Sequence, residues 1–450
     1  MNGFAGRVHL VGIGGEGMAA LAQLLWEGGA TVSGSDIRGS SRIMALRAWA
    51  EVHVGHRVEN LPDRLDALVY SSVIAPDNLE VEAARGVPRW PRLPALGAIT
   101  RGRDLVAVVG THGKTTTTSW AAHLVTTVTG EGGYYVGGEV PGSPSAVLGR
   151  GKPFVAEIDE SDGRFIGLAP RVAVLTSVDT DHLYTYGGFN GLKKAFATFL
   201  ARAEECAVCA DDPVALDVAR SQHHALTFGF SRHADLRAVG AEYRRGKTTF
   251  ELLLRGKRIG EVEAPGPGPH NVRNALGAIA AGLLLRIPPR DLLPALATAT
   301  RPRRRLEILE ENGYLVVDDY AHHPTEVAAG LAALRRGWPD RRIVAIFQPH
   351  RYSRTQALAD AFGAVLSRAD RVVVSRVYPA FERSIPRVTG REVADAVRQA
   401  GGWAVYRPFL SAALDAAAEE IQPGDVVACF GAGDIWKLAR EMARGLSSGS

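Results

Sequence analysis

Leu105-Val106-Ala107-Val108-Val109-Gly110-Thr111-His112-Gly113-Lys114-Thr115-Thr116 is the stretch on which the architecture turns. Its five leading apolar residues suit a strand buried on both faces, as strands of a parallel sheet are. They run into two glycines, a histidine, a lysine and three threonines, and then into a helical run that reaches Val125. A glycine-bearing loop between such a strand and helix offers backbone N–H groups to an anion. A lysine there neutralises the outer phosphates of a nucleotide, and the Thr115 hydroxyl is placed for magnesium. Val108 stands where the first glycine of the commonest spacing would fall, so this reading rests on the physical parts and not on the spacing.

Two strand-like runs downstream end in polar tips. Pro153–Ala156 leads into Glu157-Ile158-Asp159-Glu160-Ser161-Asp162, and Val172–Thr176 leads into Ser177-Val178-Asp179-Thr180-Asp181-His182. Open parallel sheets bind ligands beyond the carboxyl ends of their strands. Magnesium needs hard oxygen ligands, which Thr115 and one of these carboxylates supply. By chemistry alone His182 is equally a phosphate contact or a capping residue. Farther on, Asn271 and Asn274 lie one turn apart at the start of an Ala-rich helix and could share a face suited to an adenine edge, with helix capping the ordinary alternative.

A second glycine loop lies upstream. Val8–Val11 reads as a strand entering Gly12-Ile13-Gly14-Gly15-Glu16-Gly17, followed by a helix from Met18 to Trp26 and a strand from Ala30 that ends near Asp36. The pattern predicts a tight turn at Gly12, phosphate approach at Gly14, close packing of helix on sheet at Gly17, and a hydroxyl acceptor at Asp36. The spacing does not identify a dinucleotide: another nucleotide diphosphate satisfies it too, and a purely structural tight turn is the ordinary alternative. Asp66–Val69 is a further strand whose end brings Ser71 and Ser72 toward the same ligand, or to ordinary turn capping. Trp90-Pro91-Arg92-Leu93-Pro94 reads as a rigid exit and Arg101-Gly102-Arg103-Asp104 as a domain junction.

The C-terminal third repeats the strand-and-tip pattern. Tyr314–Val317 ends at Asp318-Asp319-Tyr320-Ala321-His322-His323-Pro324, Arg342–Phe347 at Gln348-Pro349-His350-Arg351-Tyr352-Ser353-Arg354-Thr355, Arg371–Ser375 at Arg376-Val377-Tyr378, and Asp425–Phe430 at Gly431-Ala432-Gly433-Asp434. Strands alternating with helices predict another mostly parallel sheet. The tail Gly445–Ser450 is expected to fray.

A chain of 450 residues with 46% hydrophobic and 22% charged residues has material for two or three cores and excludes disorder, coiled coil and collagen. The charge of +4, from 52 basic and 48 acidic residues, is dispersed and carries no nucleic-acid-binding pattern; anionic small substrates account for it, and no nucleic-acid partner is expected. No apolar run is long enough for a membrane span, and no secretory signal is read at Met1–Arg7, so the expected location is the cytoplasm. Cys206, Cys209 and Cys429 are too few for a disulfide framework and read as buried thiols. Nothing in the sequence sets an oligomeric state.

Taken in order, Gly12–Met18, Ser33-Gly34-Ser35-Asp36, Gly110–Thr116, Glu160-Ser161-Asp162, Asp318–Glu326 and Phe347–Thr355 resemble the Mur ligase family from Val8 to Ile435. The resemblance implies an α/β chain of three domains: a Rossmann-like UDP-sugar domain over 1–101, a P-loop ATPase-like ATP domain over 102–302 and a Rossmann-like amino-acid domain over 303–450. It further implies ATP-dependent ligation of L-alanine to UDP-N-acetylmuramate in peptidoglycan synthesis, and so in cell wall biogenesis, cell shape and division. In that chemistry a carboxylate attacks the γ-phosphate, and an amine then displaces phosphate from the acyl phosphate.

Carried over residue by residue, the resemblance assigns ATP to Gly110, Thr111, His112, Gly113, Lys114, Thr115, Thr116, Asn271 and Asn274, with Lys114 on the transferred phosphoryl group. It assigns Mg2+ to Thr115, Glu157 and His182, and the sugar nucleotide to Gly12, Gly14, Gly15, Gly17, Asp36, Ser71 and Ser72. Tyr320, His322, Arg351 and Arg354 go to the amino acid and acyl phosphate. Ser177 stands where the family usually has Asn, Ala299-Thr300-Arg301 and Arg304-Arg305-Leu306 replace its linker pattern, and Tyr378–Glu382 replaces an Ala-Arg-Glu ending. A ligase that recycles a preformed peptide, a non-catalytic nucleotide-binding homologue and an NAD-dependent oxidoreductase on the first glycine loop are the competing readings.

Overall fold

The computed structural model describes residues 4–447 apart from 76, 223, 245, 312 and 381. Phe381 and the last three residues of the tail therefore lie outside the described residues, as does the start at Met1. Backbone contacts divide the chain into two compact units. The first comprises Met1–Gly240, Phe250–Glu263 and Val272–Thr300; the second comprises Ala241–Thr249, Ala264–Asn271 and Arg301–Ser450. The predicted junction at 101/102 thus falls inside the first unit.

The chain forms β1 (Arg7–Val11), β2 (Thr31–Asp36), β3 (Glu51–Val54), β4 (Ala67–Tyr70) and β5 (Arg89–Pro91), which make a five-stranded sheet in the order β3-β2-β1-β4-β5. All of its pairings are parallel. A ten-stranded sheet follows, built from β6 (Asp104–Val109), β7 (Gly133–Tyr135), β8 (Ala146–Val147), β9 (Pro153–Glu157), β10 (Val172–Leu175), β11 (Glu205–Cys209), β12 (Leu226–Gly229), β13 (Leu236–Arg244), β14 (Lys247–Leu254) and β15 (Lys257–Pro265). Its order is β15-β14-β13-β12-β11-β10-β6-β9-β7-β8.

Register decides what meets at the phosphate loop. β6 pairs in parallel with β9, Val108 opposite Glu157, and with β10, Val109 opposite Leu175. The Gly110–Gly113 loop is therefore flanked by the acidic tip after β9 on one side and by Thr176–His182 on the other. One apolar cluster runs from Leu10 and Val69 of the first sheet and Leu21 of the helix Glu16–Glu27 through Leu93 and Leu96 to Ala107, Phe154 and Leu175 of the second sheet. The segment expected to be a rigid exit is instead β5 and a helix, Arg92–Ile99, that buries Leu93, Ala95, Leu96 and Ile99. Pro91 at the N-cap and Pro94 within the first turn are compatible with a helix start, where a missing N–H costs nothing.

The second unit holds a six-stranded sheet of β16 (Glu307–Glu310), β17 (Leu315–Asp319), β18 (Ile343–Phe347), β19 (Arg371–Val374), β20 (Ala404–Tyr406) and β21 (Val426–Phe430), ordered β16-β17-β21-β18-β19-β20. β16 is antiparallel to β17 and the rest are parallel. Alternate residues feed two cores: Leu315, Val317, Ala345 and Phe347 face one cluster, while Val316, Ile346 and Cys429 face another. Pairing of Phe430 with both Asp319 and Phe347 aligns the tips of β17, β21 and β18. Among the described residues no helix is long and apolar enough to cross a membrane.

Candidate active site

In the phosphate loop, Gly113 has φ +83° and a Cβ there would stand 2.5 Å from Asn274 Oδ1, so glycine is required twice over. The helix Lys114–Thr129 begins immediately after it. Lys114 Nζ donates to Gly110 O at 2.5 Å and to Thr111 O at 3.2 Å, and lies 2.9 Å from Glu160 Oε2. Burial alone would lower the pKa of this ammonium, but Glu160, Asp159 and Glu157 more than offset it and hold the group above its ordinary value. Glu160 is itself 2% exposed.

Thr115 Oγ1 donates to Glu157 Oε1 at 3.0 Å, while Gly137 N–H donates to Oε2 at 2.8 Å. Two hard oxygen donors one hydrogen bond apart, beside a lysine and a helix start, fit a magnesium ion with a nucleotide phosphate. His182 has φ 54°, an uncommon conformation for a non-glycine residue, and opens the short helix Leu183–Tyr186. Its Nε2 lies 3.7 Å from Asp181 Oδ2; burial raises the Glu160 carboxyl above its ordinary value against the opposing charge of Lys114. Tyr186 and Thr185 tie this helix to the carbonyls of Glu160 and Ser161.

Ser177 takes part in holding the loop. Its Oγ accepts from His112 N–H at 2.9 Å, and His112 Nε2 pairs with Asp179 Oδ2 at 2.9 Å. The Ser-for-Asn departure thus leaves the loop clamped. Asn274 reaches Thr117 Oγ1 at 3.3 Å, while Asn271 Nδ2 donates to Pro267 O at 2.9 Å.

The first glycine loop is fastened by its neighbours. Gly12 and Ile13 donate to Ser35 O, and Gly14 N–H donates to Asp36 Oδ2 at 2.9 Å. Ser71 N–H donates to Val11 O, which sets the serine pair beside Gly12. Gly17 differs from expectation. A Cβ there would stand 2.6 Å from the Tyr135 hydroxyl and 2.9 Å from Arg92 Nη1, so the nearest groups it would meet are the ends of these side chains and not the underlying sheet.

Beneath this loop lies a buried group for which the sequence reading found no signal. Glu80 is 0% exposed and accepts from Asn60 Nδ2 at 2.6 Å, from Arg57 N–H at 3.0 Å and from Ser35 Oγ. His9 and His56 lie 3.6 and 3.4 Å from it. Burial opposes ionisation, but these partners overcome it and bring the carboxyl down to about 2.

In the second unit the tips of β17, β18 and β19 build a ladder of rings. Tyr320 stands edge-on to His322 at 5.5 Å, His322 to His350 at 5.4 Å, and His350 stacks on Tyr378 at 5.8 Å. Arg304 and Arg305 lie over Tyr320, and Arg354 Nη1 is 3.3 Å from His350 Nδ1. Arg351 takes φ 70° with its N–H bonded to Tyr378 O at 2.8 Å. Strain of this kind costs about 1–3 kcal/mol and persists where the surroundings impose it. Tyr320, His322, Arg351 and Arg354 are therefore brought into one neighbourhood. His350, Tyr378 and Arg304 join them; each stood in a quoted motif without being chosen. Glu382 accepts from Ser353 N–H and Oγ, so the altered Tyr378–Glu382 segment still anchors the helix Tyr352–Leu366.

Sequence profiles of the Mur ligase family catalytic domain, the Mur ligase middle domain and the Mur ligase glutamate ligase domain match residues 7–103, 108–282 and 304–433. The chain belongs to the Mur ligase family, with its three-domain α/β architecture. It is 42% identical over 446 residues to the UDP-N-acetylmuramate–L-alanine ligase of Solidesulfovibrio magneticus, covering 96% of each chain. It is also 42% identical to the enzyme of that name from Salinibacter ruber, covering 96% of this chain and 93% of that one. The crystal structure of UDP-N-acetylmuramate-alanine ligase from Thermotoga maritima superposes with a TM-score of 0.85 at 28% identity, covering 99% of this chain and 100% of that one. A murein peptide ligase from Psychrobacter arcticus shares the fold, with a TM-score of 0.69 at 21% identity over 98% of both chains.

Proposed function

We propose that the chain ligates L-alanine to UDP-N-acetylmuramate at the expense of ATP, through an acyl phosphate, in the cytoplasmic stage of peptidoglycan synthesis. The observation that carries this reading is the Lys114, Thr115 and Glu157 constellation between the tips of β9 and β10, in a chain so similar along its whole length to ligases of that name. Lys114 would neutralise the transferred phosphoryl group, and Asn271 and Asn274 would hold the adenine. Thr115, Glu157 and His182 would hold magnesium, which supplies charge neutralisation of the phosphates. The first step needs no general base, because a carboxylate is already ionised at neutral pH. Gly12, Gly14, Gly15, Gly17, Asp36, Ser71 and Ser72 would hold the sugar nucleotide. Tyr320, His322, Arg351 and Arg354 would serve the amino acid, the planar forks of the arginines suiting carboxylate or phosphate oxygens. Division of these tasks among 1–101, 102–302 and 303–450 belongs to the same proposal.

A matrix of UDP-sugars and amino acids read by phosphate release, with product masses checked, tests the reaction. UDP-N-acetylmuramate with L-alanine should give the highest kcat/KM; preference for a tripeptide acceptor, or ATP binding without phosphate release, would overturn it. Calorimetry on the full chain tests the first loop. UDP-N-acetylmuramate should bind and NAD should not, and Asp36→Ala should weaken the sugar nucleotide by about 1–3 kcal/mol through a ligand hydroxyl left unpaired in the complex. Tight NAD binding without UDP-sugar binding would reopen the oxidoreductase reading. Glu157→Gln trades an anionic oxygen for a neutral amide and should raise the magnesium concentration needed for half-maximal rate. An unchanged requirement would shift the metal role to Glu160.

A further inference from the structure

Four residues far apart in sequence meet between the two ligand loops of the first unit. Arg92, whose side chain is 12% exposed, donates from Nη1 to the Tyr135 hydroxyl at 2.9 Å and from Nη2 to Asp159 Oδ2 at 2.9 Å. The Tyr135 hydroxyl in turn donates to Gly17 O at 3.0 Å, in the first turn of the helix Glu16–Glu27 that follows the first glycine loop. Asp159 closes the other end: its Oδ1 accepts from Ser161 N–H at 2.9 Å, which shapes the tip on which Glu160 meets Lys114. Burial would discourage the charge on Arg92, but Tyr135 and Asp159 keep it protonated.

We infer that Arg92 is a positioning residue, joined through Tyr135 and Asp159 to both loops, that fixes the distance and angle between the sugar-nucleotide loop and the phosphate loop. Every link is a directional hydrogen bond, and two of the three side chains are on regular elements, Arg92 at the start of a helix and Tyr135 at the end of β7, while Asp159 follows β9 by two residues. A Cβ at Gly17 would crowd the Tyr135 hydroxyl and the Arg92 guanidinium of this bridge. The inference rests on the proposed reaction, in which a carboxylate carried by one loop's ligand must lie in line with a phosphoryl group carried by the other's. Misplacement of reacting groups by about 1 Å costs on the order of 10²-fold in rate. Neither ligand has to touch the bridge for this to hold, so binding of each alone should be insensitive to it.

The test is the first-turnover rate of ADP formation from ATP, magnesium and UDP-N-acetylmuramate without amino acid, measured beside the separate dissociation constants for ATP and UDP-N-acetylmuramate. Tyr135→Phe removes one hydroxyl and frees Gly17 O; Arg92→Lys keeps the charge but lacks the fork that holds two partners at once. We expect rates lower by about 10-fold in Tyr135→Phe and about 10²-fold in Arg92→Lys, with each dissociation constant within about 2-fold of wild type and the melting temperature of Tyr135→Phe unchanged. Wild-type first-turnover rates in both variants would overturn the inference, and so would a rate loss fully matched by weaker binding of either nucleotide alone. If Arg92→Lys does not fold, Tyr135→Phe decides on the same terms. Absence of UDP-N-acetylmuramate-dependent ADP formation in the wild-type protein would instead remove the proposed function, and this inference with it.

Discussion

Lys114→Ala should lower turnover by about 10²-fold or more, the loss that follows removal of a preorganised charge from a phosphoryl-transfer site. In this structure the ammonium satisfies Gly110 O, Thr111 O and Glu160, so an incoming phosphate meets a cation already aimed into the loop and needs only to replace one of its partners. Binding of UDP-N-acetylmuramate should survive the substitution, because among the described residues the contacts that fasten the first glycine loop come from Ser35, Asp36, Arg42 and Tyr135 and none from Lys114. Steady-state phosphate release and calorimetry on the purified variant check both halves. Near wild-type phosphate release would remove Lys114 from the mechanism.

The second large effect is on stability. Glu80→Ala should destabilise the first sheet by about 3–5 kcal/mol, the cost of breaking a buried ionic network and leaving its partners uncompensated. Asn60, Arg57 N–H, Ser35 and two histidines converge on this carboxylate, and Ser35 O in turn holds the glycine loop. The pH dependence has a definite sign. A carboxyl brought from 4.5 down to about 2 in the folded state binds fewer protons there than in the unfolded chain, so its stabilisation is complete above about pH 4.5 and is lost as pH falls toward 2. Urea unfolding of wild type and Glu80→Gln should show a gap at pH 7 that narrows below pH 4.5. Coincident unfolding curves at pH 7 would show that the network contributes nothing.

What could be read from the sequence were features that a parallel sheet writes locally. Val106–Val109, Val172–Leu175 and Val426–Phe430 are apolar throughout because both faces are covered, and the polar residues that follow each run mark the ends where ligands gather. Gly110–Thr115, Glu157 and the Tyr320–His323 and His350–Arg354 tips were legible for that reason, and the register then brought neighbouring tips together. Arg92 was not legible. It sits between Pro91 and Pro94, a context that reads as a break, and its partners at 17, 135 and 159 become neighbours only after two sheets have packed. Glu80 was hidden differently: it lies in a five-residue helix, Leu79–Ala83, too short to show a period, and nothing local marks a charged residue as buried. Gly17 taught the same lesson from the other side, since its position was foreseen and its cause was not.

Cys206 and Cys209 lie in β11 of the first unit and Cys429 in β21 of the second, all three free and buried. Burial pushes the first two thiols up to about 11 and lifts Cys429 well above its ordinary value. A thiol reacts as its thiolate, so in the closed fold none of them offers a reagent either access or a nucleophile. Any alkylation of this chain therefore times an opening event, and because the sulfurs sit in separate units, peptide-resolved labelling clocks the breathing of each unit independently of the other.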